Sequence, residues 1–358
     1  MYEDEFRCGL IYIRDNFEDI FLAFKRIESL GGSIFIVTDN NVKELHLNSF
    51  LTSISDVVTV KGMHVIKPGE ESKNSDTVSE IYKAFSAAGV DRKTVAVALG
   101  GGVVGDICGF AASTFMRGIP YVQIPTTLMA MVDSSVGGKT GINFEGHKNL
   151  VGSFYQPKFV YINIGNLKTL PREQFLEGMA EVIKYGLIHD AELFGFLIAN
   201  VDKISDDDII SYLIRRSVEI KDEIVSKDEK EIGVREILNF GHTFGHSIES
   251  LLKYKAPHGF CVGLGMTVAL NLSIAKGYIG FDVFEKYIYL CKKLGIPSKI
   301  SDLGFTNIDA DDIYENMRYD KKVRNGKIRF VLLKSVEDAF VDELCEKDEV
   351  ILSIDSIL

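Results

Sequence analysis

The 358-residue sequence is poor in cysteine and histidine, and it has no basic segment at its start. Its five cysteines are odd in number and widely spaced, and none forms a Cys-x-x-Cys pair, so we expect reduced core residues. The first residues, Met-Tyr-Glu-Asp-Glu, are acidic where a signal peptide would be basic, and no apolar run approaches the roughly 18 residues that span a bilayer. We therefore expect a cytoplasmic protein without a membrane segment.

The balance of charge narrows the class of protein further. A formal net charge of −11 argues against a general nucleic-acid surface, although a cleft on an acidic protein can still be basic and bind a small anion. Hydrophobic residues make up 46% and charged residues 25% of the chain, as in ordinary globular proteins. The length exceeds the size at which one hydrophobic core usually stops growing, which predicts two domains.

The two halves of the chain differ in hydrophobic pattern. The predicted strands are β-branched runs at residues 33–38, 94–99 and 121–124. The predicted helices cover residues 76–88, 103–115, 172–188, 207–225, 237–254, 261–275 and 282–294. Alternating strands and helices in the first half indicate βαβ units, and Pro171 suits a helix start. We therefore predict an α/β, Rossmann-like domain at 1–168 and an all-helical domain at 169–358, with one isolated strand near 327–333.

Three of the chain's seven histidines are clustered in its second half. His242 and His246 are four residues apart and would share one face of a helix, and His258 follows twelve residues later. Neutral imidazoles suit Zn²⁺ or a similar metal, so the pattern indicates a metal site, with hydrogen-bonded core histidines as the alternative. Thr243 stands where a metalloprotease with this spacing has its glutamate, which disfavours that class.

A glycine-rich turn follows the predicted strand at 94–99. Gly100, Gly102 and Gly105 match G-x-G-x-x-G between a strand and a helix, where glycine lets the backbone approach a pyrophosphate at the helix N-terminus. This indicates a dinucleotide site, although the motif lies far into the chain and no acidic residue follows about twenty positions later. A turn that serves only tight helix–strand packing is the alternative.

Polar side chains recur where predicted strands end. Asp39 and Asn41 follow the first of these strands, and Thr126 and Thr127 follow the third. Each pair alone would be typical of a turn. Because ligands bind at the carboxyl edge of parallel sheets, the recurrence favours one shared nucleotide site.

Several further motifs occur in order along the chain. They are Pro68-Gly-Glu-Glu-Ser-Lys73, Gly100-Gly-Gly-Val-Val-Gly-Asp106, Ile124-Pro-Thr-Thr-Leu, Asp133-Ser-Ser-Val-Gly-Gly-Lys139, Lys148-Asn149, Glu177-Gly-Met-Ala-Glu181-Val-Ile-Lys184, Arg235-Glu-Ile-Leu-Asn239-Phe-Gly-His242-Thr-Phe-Gly-His246, His258-Gly and Asp320-Lys-Lys. Together they resemble the 3-dehydroquinate synthase family over nearly the whole chain. So many spaced motifs are far more specific than one glycine loop. Phe260 departs from the smaller or acidic residues often found there in the family, which concerns only local packing.

The resemblance implies an N-terminal NAD-binding domain, a helical C-terminal domain that binds Zn²⁺ or Co²⁺, and usually a homodimer. It implies conversion of a small sugar phosphate, 3-deoxy-D-arabino-heptulosonate 7-phosphate, to 3-dehydroquinate and phosphate in the shikimate pathway. The implied metal ligands are Glu181, His242 and His258. His246 would then contact substrate, so only one member of the His242 and His246 pair remains a metal ligand.

The resemblance also implies a set of contacts to substrate and cofactor. The residues matched to substrate contacts are Arg117, Asp133, Lys139, Asn149, Lys184, Lys221, Arg235, Asn239, His246 and Lys321. The residues matched to NAD contacts are Asp39, Asn41, Glu70, Lys73, Gly102, Val103, Val104, Gly105, Asp106, Thr126, Thr127, Lys139, Lys148 and Thr169. Lys221 and Arg235 correspond to a clamp on the substrate carboxylate. Arg117 corresponds to a phosphate-side arginine that reaches across from the partner subunit in some members.

Three other functions stay open on the sequence alone. A sibling sugar-phosphate cyclase such as 2-deoxy-scyllo-inosose synthase shares NAD, metal and fold but handles a substrate without the carboxylate, and Lys221 and Arg235 favour the carboxylated substrate. A metal- and NAD-dependent polyol dehydrogenase would accumulate NADH in proportion to product. A non-enzymatic metal-binding or scaffold protein would not require the full set of substrate contacts.

Overall fold

The structure, a computed structural model, describes residues 3–6, 9–26, 32–231, 233–306, 308–318 and 328–358. The chain divides into two compact units. The first comprises Met1–Pro171 with Lys221–Ser226, and the second comprises Arg172–Ile220 with Lys227–Leu358. The domain boundary expected at residue 168 stays a prediction.

The described part of the first unit contains nine strands. They are β1 (Glu3–Phe6), β2 (Gly9–Arg14), β3 (Ser33–Asp39), β4 (Thr59–Ile66), β5 (Val95–Gly100), β6 (Tyr121–Pro125), β7 (Lys139–Phe144), β8 (His147–Phe154) and β9 (Phe159–Asn163). Seven of them form one sheet in the order β1-β2-β9-β6-β5-β3-β4, in which only the β1–β2 pair is antiparallel. β7 and β8 form a separate antiparallel hairpin. The three predicted strands are confirmed as β3, β5 and β6.

Helices cover both faces of this sheet. They are α1 (Ile20–Arg26), α2 (Asn40–Ile54), α3 (Ser75–Ala87) and α4 (Gly102–Thr114). Successive residues of β3 point to opposite faces, so Ile34 and Ile36 pack with α1 and α2, whereas Phe35 and Val37 pack with α3 and α4. A strand that is apolar on both faces is typical of a parallel sheet buried between helices. The Rossmann-like α/β architecture predicted for this half is therefore confirmed.

The second unit is mostly helical. Its helices are α5 (Arg172–His189), α6 (Ala191–Ala199), α7 (Asp207–Lys227), α8 (His242–Leu251), α9 (His258–Ala275), α10 (Phe281–Leu294), α11 (Ala310–Arg318) and α12 (Lys347–Ile354), and residues 221–226 of α7 belong with the first unit. Strands β10 (Phe330–Ser335) and β11 (Asp338–Asp342) form an antiparallel hairpin. The helical character is confirmed, and the strand expected near 327–333 has a partner. The pattern did not reveal β11 because an aspartate stands at each end of this short strand.

The apolar centre of the second unit is α9. By length and composition this helix could cross a membrane, with 18 residues and a mean hydropathy of 1.4, but 78% of it is buried inside the structure. It packs against α5, α8, α10, α12 and β10 and is apolar all round, as a core helix is. The expectation that no apolar run approaches 18 residues is therefore wrong, and burial in a core accounts for the run.

The described cysteines follow the expectation of reduced residues. Cys108, Cys261 and Cys291 are buried and Cys345 is half-buried, and none of the four forms a disulfide with a described residue. Cys8 lies outside the described residues.

The helix predicted at 237–254 is wrong in its first part. Residues Val234–Asn239 form a short 3-10 helix, and Gly241 then takes a left-handed φ of +77° before α8 begins at His242. Only glycine adopts this conformation without strain. The break makes His242 the first residue of its helix, as His258 is the first residue of α9.

The same glycine lies where α8 and α9 touch. A side chain at Gly241 would collide with Met266 of α9, and a side chain at Gly265 would overlap the carbonyl oxygen of Gly241. Glycine at both positions therefore allows the two backbones to meet directly. This contact brings the starts of the two helices together.

The glycine contact generates a stability prediction. Gly265→Ala forces a methyl group against the Gly241 backbone, and overpacking of this kind should lower the unfolding free energy by about 1–3 kcal/mol. Gly195→Ala in α6 is the matched control, because no described atom outside its chain neighbours and its own helix backbone lies within 4 Å of the added methyl group. That change should stabilise the helix by roughly 0.8–1 kcal/mol. Denaturant unfolding followed by circular dichroism measures both, and a Gly265→Ala variant as stable as the wild type would contradict the close contact.

Candidate functional site

Three histidines of the second unit form a compact cluster at the starts of α8 and α9. The ligand nitrogens of His242, His246 and His258 all lie within 4.8 Å of one another. The ring centroids of His242 and His246 are 5.4 Å apart, as expected for residues one helical turn apart. The contact between the helices adds His258, whose ring centroid is 5.6 Å from that of His242. Three convergent imidazoles suit a borderline divalent cation.

Glu181 of α5 reaches the same cluster. Its buried Oε1 lies 3.6 Å from Nε2 of His242. Its Oε2 touches the ammonium of Lys184, an equally buried residue three positions later on α5. That oxygen accepts no hydrogen bond of good geometry from a described residue. A buried carboxylate with an incomplete shell beside imidazoles fits a cation. The structure brings all four donors together, so the choice of Glu181, His242 and His258 as ligands, with His246 for substrate, stays a prediction.

Two of the imidazoles have a hydrogen-bond acceptor beside Nδ1. Nδ1 of His242 lies 3.1 Å from the carbonyl oxygen of Phe240, and Nδ1 of His258 lies 3.2 Å from a carboxylate oxygen of Glu249. Both acceptors require a proton on Nδ1, which puts the lone pair of each neutral ring on Nε2. Contacts of this kind commonly fix the tautomer of metal-binding histidines.

Glu249 is a residue that the sequence prediction missed. It is buried on α8, seven residues after His242 and three after His246. This spacing places it on the same helix face as the two histidines. The available clue was a carboxylate on the helix face that carries the two histidines, because a buried carboxylate requires a partner.

The His258-Gly motif has a structural explanation. A side chain at Gly259 would overlap the backbone of Glu177 on α5, so glycine lets the first turn of α9 lie against that helix. The N–H of Gly259 donates to the Glu177 carboxylate. Burial raises the pKa of Glu177, while the nearby His258 and this hydrogen bond oppose the rise. A further carboxylate thus stands beside the histidine cluster.

The glycine turn of the first unit lies between β5 and α4, as predicted. A side chain at Gly100 would collide with Val104, and one at Gly105 would collide with Gln123 of β6. Tight helix–strand packing is therefore one reason for the glycines. The helix also begins at Gly102 without a side-chain cap from Gly101. A helix start of this kind suits an anion, so the packing and nucleotide interpretations are compatible.

Lys73 is the centre of a buried polar network in the first unit. Its Nζ donates to Oδ2 of Asp106 and to Oδ1 of Asn149, each at 2.5 Å, and the residue is only 5% exposed. Burial works against the charged ammonium, but Asp106 and Glu70 outweigh it, and the pKa of Lys73 is raised above its ordinary value. Burial also raises the pKa of Asp106, against the opposing charge of Lys73. Four residues predicted from the sequence thus lie together.

Other predicted NAD residues serve as turn or cap residues in this structure. Oδ1 of Asp39 caps α2 by accepting from the N–H of Val42 at 3.0 Å. The Thr169 hydroxyl lies 2.9 Å from Nε2 of buried His46 and donates to the carbonyl of Asn166. The remaining predicted NAD residues are Asn41 in α2, Val103 and Val104 in α4, Thr126 and Thr127 after β6, Lys139 at the start of β7 and Lys148 in β8. Their contacts with NAD stay predictions.

Two predicted substrate residues meet in the first unit. Nζ of Lys221 donates to Oδ1 of Asp133 at 2.7 Å and to its backbone carbonyl at 2.6 Å. Asp133 lies in a single π-helical turn, Ala130–Ser134, a feature often found at functional sites. Arg117 lies in an exposed turn with a φ of +66°.

The second unit holds the remaining substrate residues. Arg235 is 2% exposed, and its guanidinium donates to the carbonyl oxygen of Glu229 at 2.6 Å. Nδ2 of Asn239 donates to Oε1 of Glu231 at 2.9 Å. The pairing of Lys221 with Arg235 as a carboxylate clamp stays a prediction, and Lys321 lies outside the described residues.

Comparison with known proteins bears on both units. The sequence matches the family model "3-dehydroquinate synthase N-terminal" over residues 63–177 and "3-dehydroquinate synthase C-terminal" over residues 178–323. The chain is 44% identical over 324 residues to a 3-dehydroquinate synthase of Acetivibrio thermocellus. The aligned region covers 90% of this chain and 88% of that enzyme. Its structure is similar to that of 2-epi-5-epi-valiolone synthase from Streptomyces hygroscopicus with NAD⁺ and Zn²⁺ bound, with a TM-score of 0.87, 27% identity and coverage of 100% and 97% of the two chains. A 2-deoxy-scyllo-inosose synthase complexed with carbaglucose-6-phosphate, NAD⁺ and Co²⁺ shares the fold, with a TM-score of 0.84, 23% identity and coverage of 98% and 97%.

These similarities agree with the geometry of the two units. The chain shares its fold, an α/β unit and a mostly helical unit, with these sugar-phosphate cyclases. The chain belongs to the 3-dehydroquinate synthase family. It is therefore an enzyme, and the resemblance drawn from its motifs is confirmed.

The buried Glu181 and Lys184 pair generates a second prediction. Lys184→Met removes the ammonium and leaves a buried carboxylate, which should cost chelator-treated protein roughly 3–5 kcal/mol of unfolding free energy. Adding Glu181→Gln removes that charge too, so the double variant should recover much of the loss. Denaturant unfolding of the two single variants and the double variant measures the coupling. A double variant whose loss equals the sum of the single losses would show that the two charges do not interact.

Proposed function

We propose that the chain converts 3-deoxy-D-arabino-heptulosonate 7-phosphate to 3-dehydroquinate and phosphate, with NAD and one divalent metal ion, Zn²⁺ or Co²⁺, as cofactors. The observation that carries the proposal is the cluster of three imidazoles and a buried carboxylate in a chain of this family. The structurally similar valiolone synthase was solved with NAD⁺ and Zn²⁺, which supports both cofactors. Because the reaction is redox-neutral overall, NAD would be regenerated in every turnover.

Glu181, His242 and His258 would hold the metal ion in the second unit. When bound, the ion supplies a Lewis acid that lowers the pKa of a substrate hydroxyl and polarises a carbonyl. The Phe240 carbonyl and the Glu249 carboxylate would keep a proton on Nδ1 of the two histidines and so present Nε2 to the cation. His246, Lys184 and Asn239 would contact substrate hydroxyls from the same unit.

NAD would bind at the carboxyl edge of the sheet in the first unit, where it supplies a hydride acceptor. The uncapped start of α4 would receive its pyrophosphate, because helix N-termini attract anions and glycine permits close approach. The Lys73 ammonium, held in place by Asp106, would contact the cofactor from the same unit. Polar groups at other strand ends, such as Asp39 and Thr126, would contact the rest of the cofactor.

The substrate carries a phosphate and a carboxylate, so an acidic protein must supply positive charge locally. Lys139, Asn149, Arg117 and Lys321 would contact the phosphate. Lys221, oriented by Asp133, would act with Arg235 on the carboxylate. The guanidinium of Arg235 is buried and held by a backbone carbonyl, which supports preorganised, bidentate hydrogen bonding to the carboxylate.

We also infer a cytoplasmic homodimer without nucleic-acid or membrane partners. The hairpin of β7 and β8 leaves Phe144, Leu150, Val151 and Phe154 exposed, and contact with a second copy would bury them. Arg117, in its exposed turn, would reach the site of the partner subunit. The net charge of −11 supports the absence of a nucleic-acid partner.

Phosphate release distinguishes the proposed lyase from a polyol dehydrogenase. With the heptulosonate phosphate in large excess over NAD⁺, we expect one phosphate and one dehydroquinate per substrate consumed and no accumulation of NADH. Chelation of the metal should stop the reaction, and Zn²⁺ or Co²⁺ should restore it. Phosphate and absorbance assays measure both products, and NADH that rises in step with product would refute the proposal.

The carboxylate clamp generates a separate kinetic prediction. Arg235→Ala should lower kcat/KM for the heptulosonate phosphate, with a loss of transition-state stabilisation of about 2–3 kcal/mol, the scale of a charged hydrogen bond. Arg318→Ala is the control, because this exposed arginine of α11 pairs with Glu315 on the surface and its loss should leave kcat/KM unchanged. Steady-state kinetics of both variants measure kcat/KM. A wild-type kcat/KM in Arg235→Ala would reject the assignment of Arg235 to the carboxylate clamp.

A further inference from the structure

Asn143 of β7 joins three residues that were matched to NAD and substrate contacts. Its backbone N–H donates to the carbonyl oxygen of Lys73 at 2.8 Å. Its Nδ2 donates to Oε1 of Glu70 at 2.8 Å, and its Oδ1 accepts from the backbone N–H of Asn149 at 3.0 Å. Asn143 itself belongs to none of the matched contacts.

The shape of the hairpin explains how one residue makes these contacts. Ile142 pairs with Val151 and Phe144 pairs with His147, so Asn143 alone faces residues 148–150 of β8. Bulges of this kind bend a strand and redirect its side chains. The bulge contains Lys148 and Asn149, which are both matched to site contacts.

Asn149 within this bulge has a left-handed backbone conformation, with a φ of +52°. Asparagine tolerates this conformation better than most residues, but it is still unfavourable relative to an extended strand. The hydrogen bond from its N–H to Oδ1 of Asn143 compensates for the pairing that the bulge removes.

The contacts close into a ring of three residues. Nζ of Lys73 donates to the Asn149 side chain, the Asn149 N–H donates to Asn143, and the Asn143 N–H donates to the Lys73 carbonyl. The same ammonium donates to Asp106 at the start of α4. Because Lys73 is buried, these partners set the position of its ammonium, and displacement of one member of the ring displaces the others.

We infer that Asn143 is a positioning residue that sets the geometry of Glu70 and Asn149 around the Lys73 ammonium. The inference rests on the proposed function, in which Glu70 and Lys73 contact NAD and Asn149 contacts the phosphate end of the substrate. An amide suits this place because one atom donates to a carboxylate while the other accepts from a backbone N–H. Aspartate has the same shape but only accepts, and it would set a negative charge against Glu70.

The test is the affinity of the full-length, metal-replete protein for NAD⁺, measured by isothermal titration calorimetry and therefore without turnover. Asn143→Asp should weaken NAD⁺ binding about tenfold, because it loses the hydrogen bond to Glu70. Its KM for the heptulosonate phosphate should stay within about twofold of wild type, because the acceptor for the Asn149 N–H remains. Asn143→Leu loses both bonds and should raise that KM about tenfold as well.

A rescue variant separates positioning from a general loss of structure. Asn143→Asp/Glu70→Gln reverses the polarity of the pair, because the glutamine amide can donate to the aspartate. We expect it to bind NAD⁺ more tightly than Asn143→Asp alone. Asn271→Asp is the matched control, because this asparagine of α9 also loses one bond, from Nδ2 to Ser356, but makes no contact with the ring. It should bind NAD⁺ as the wild type does.

The outcomes separate the inference from the proposed function. Wild-type NAD⁺ affinity in both Asn143 variants, or a double variant that is no better than Asn143→Asp, overturns the inference while leaving the proposed function intact. A wild-type protein that does not bind NAD⁺ overturns both. Weakened binding that the double variant restores, in proteins with wild-type circular dichroism, supports the positioning role.

Discussion

The direct contact between the backbones of α8 and α9 decides where the histidine chemistry of the second unit lies. Gly241 and Gly265 have no side chains at the point where the helices meet, and any larger residue would push them apart. The left-handed turn at Gly241 starts α8 at His242, and α9 starts at His258. Two helix starts and their first side chains are therefore held at one point, which no flexible loop could do with the same precision.

This arrangement has an electrostatic consequence. Helix N-termini carry partial positive charge, so the starts of two helices are by themselves unfavourable for a cation. Carboxylates compensate for this charge, since buried Glu181 lies beside His242, buried Glu249 contacts His258, and Glu177 accepts from the first turn of α9. Three carboxylates of the second unit therefore lie beside the histidine cluster, where a bound cation would require negative charge. In the first unit the start of α4 has no side-chain cap, and its partial positive charge suits an anion.

The hydrophobic pattern predicted part of the fold. Strands β3, β5 and β6 are buried on both faces, so their apolar runs identify them without knowledge of their partners. The hydrophobic pattern did not predict the structure where contacts between residues distant in the sequence determine it. Gly241 interrupts a helical pattern because of its conformation and the nearby Met266, and the run in α9 resembles a membrane span although neighbouring helices bury it.

The order and spacing of the motifs identify the family of the molecule and predict its candidate site residues, because such motifs place chemically demanding side chains at fixed spacing. The groups that support these residues are visible only in the folded chain. Asn143 and Glu70 are 73 positions apart in the chain, and Glu249 and His258 come from different helices. A hydrogen bond depends on the position and direction of two atoms in space, and a one-dimensional pattern encodes neither for residues that only folding brings together.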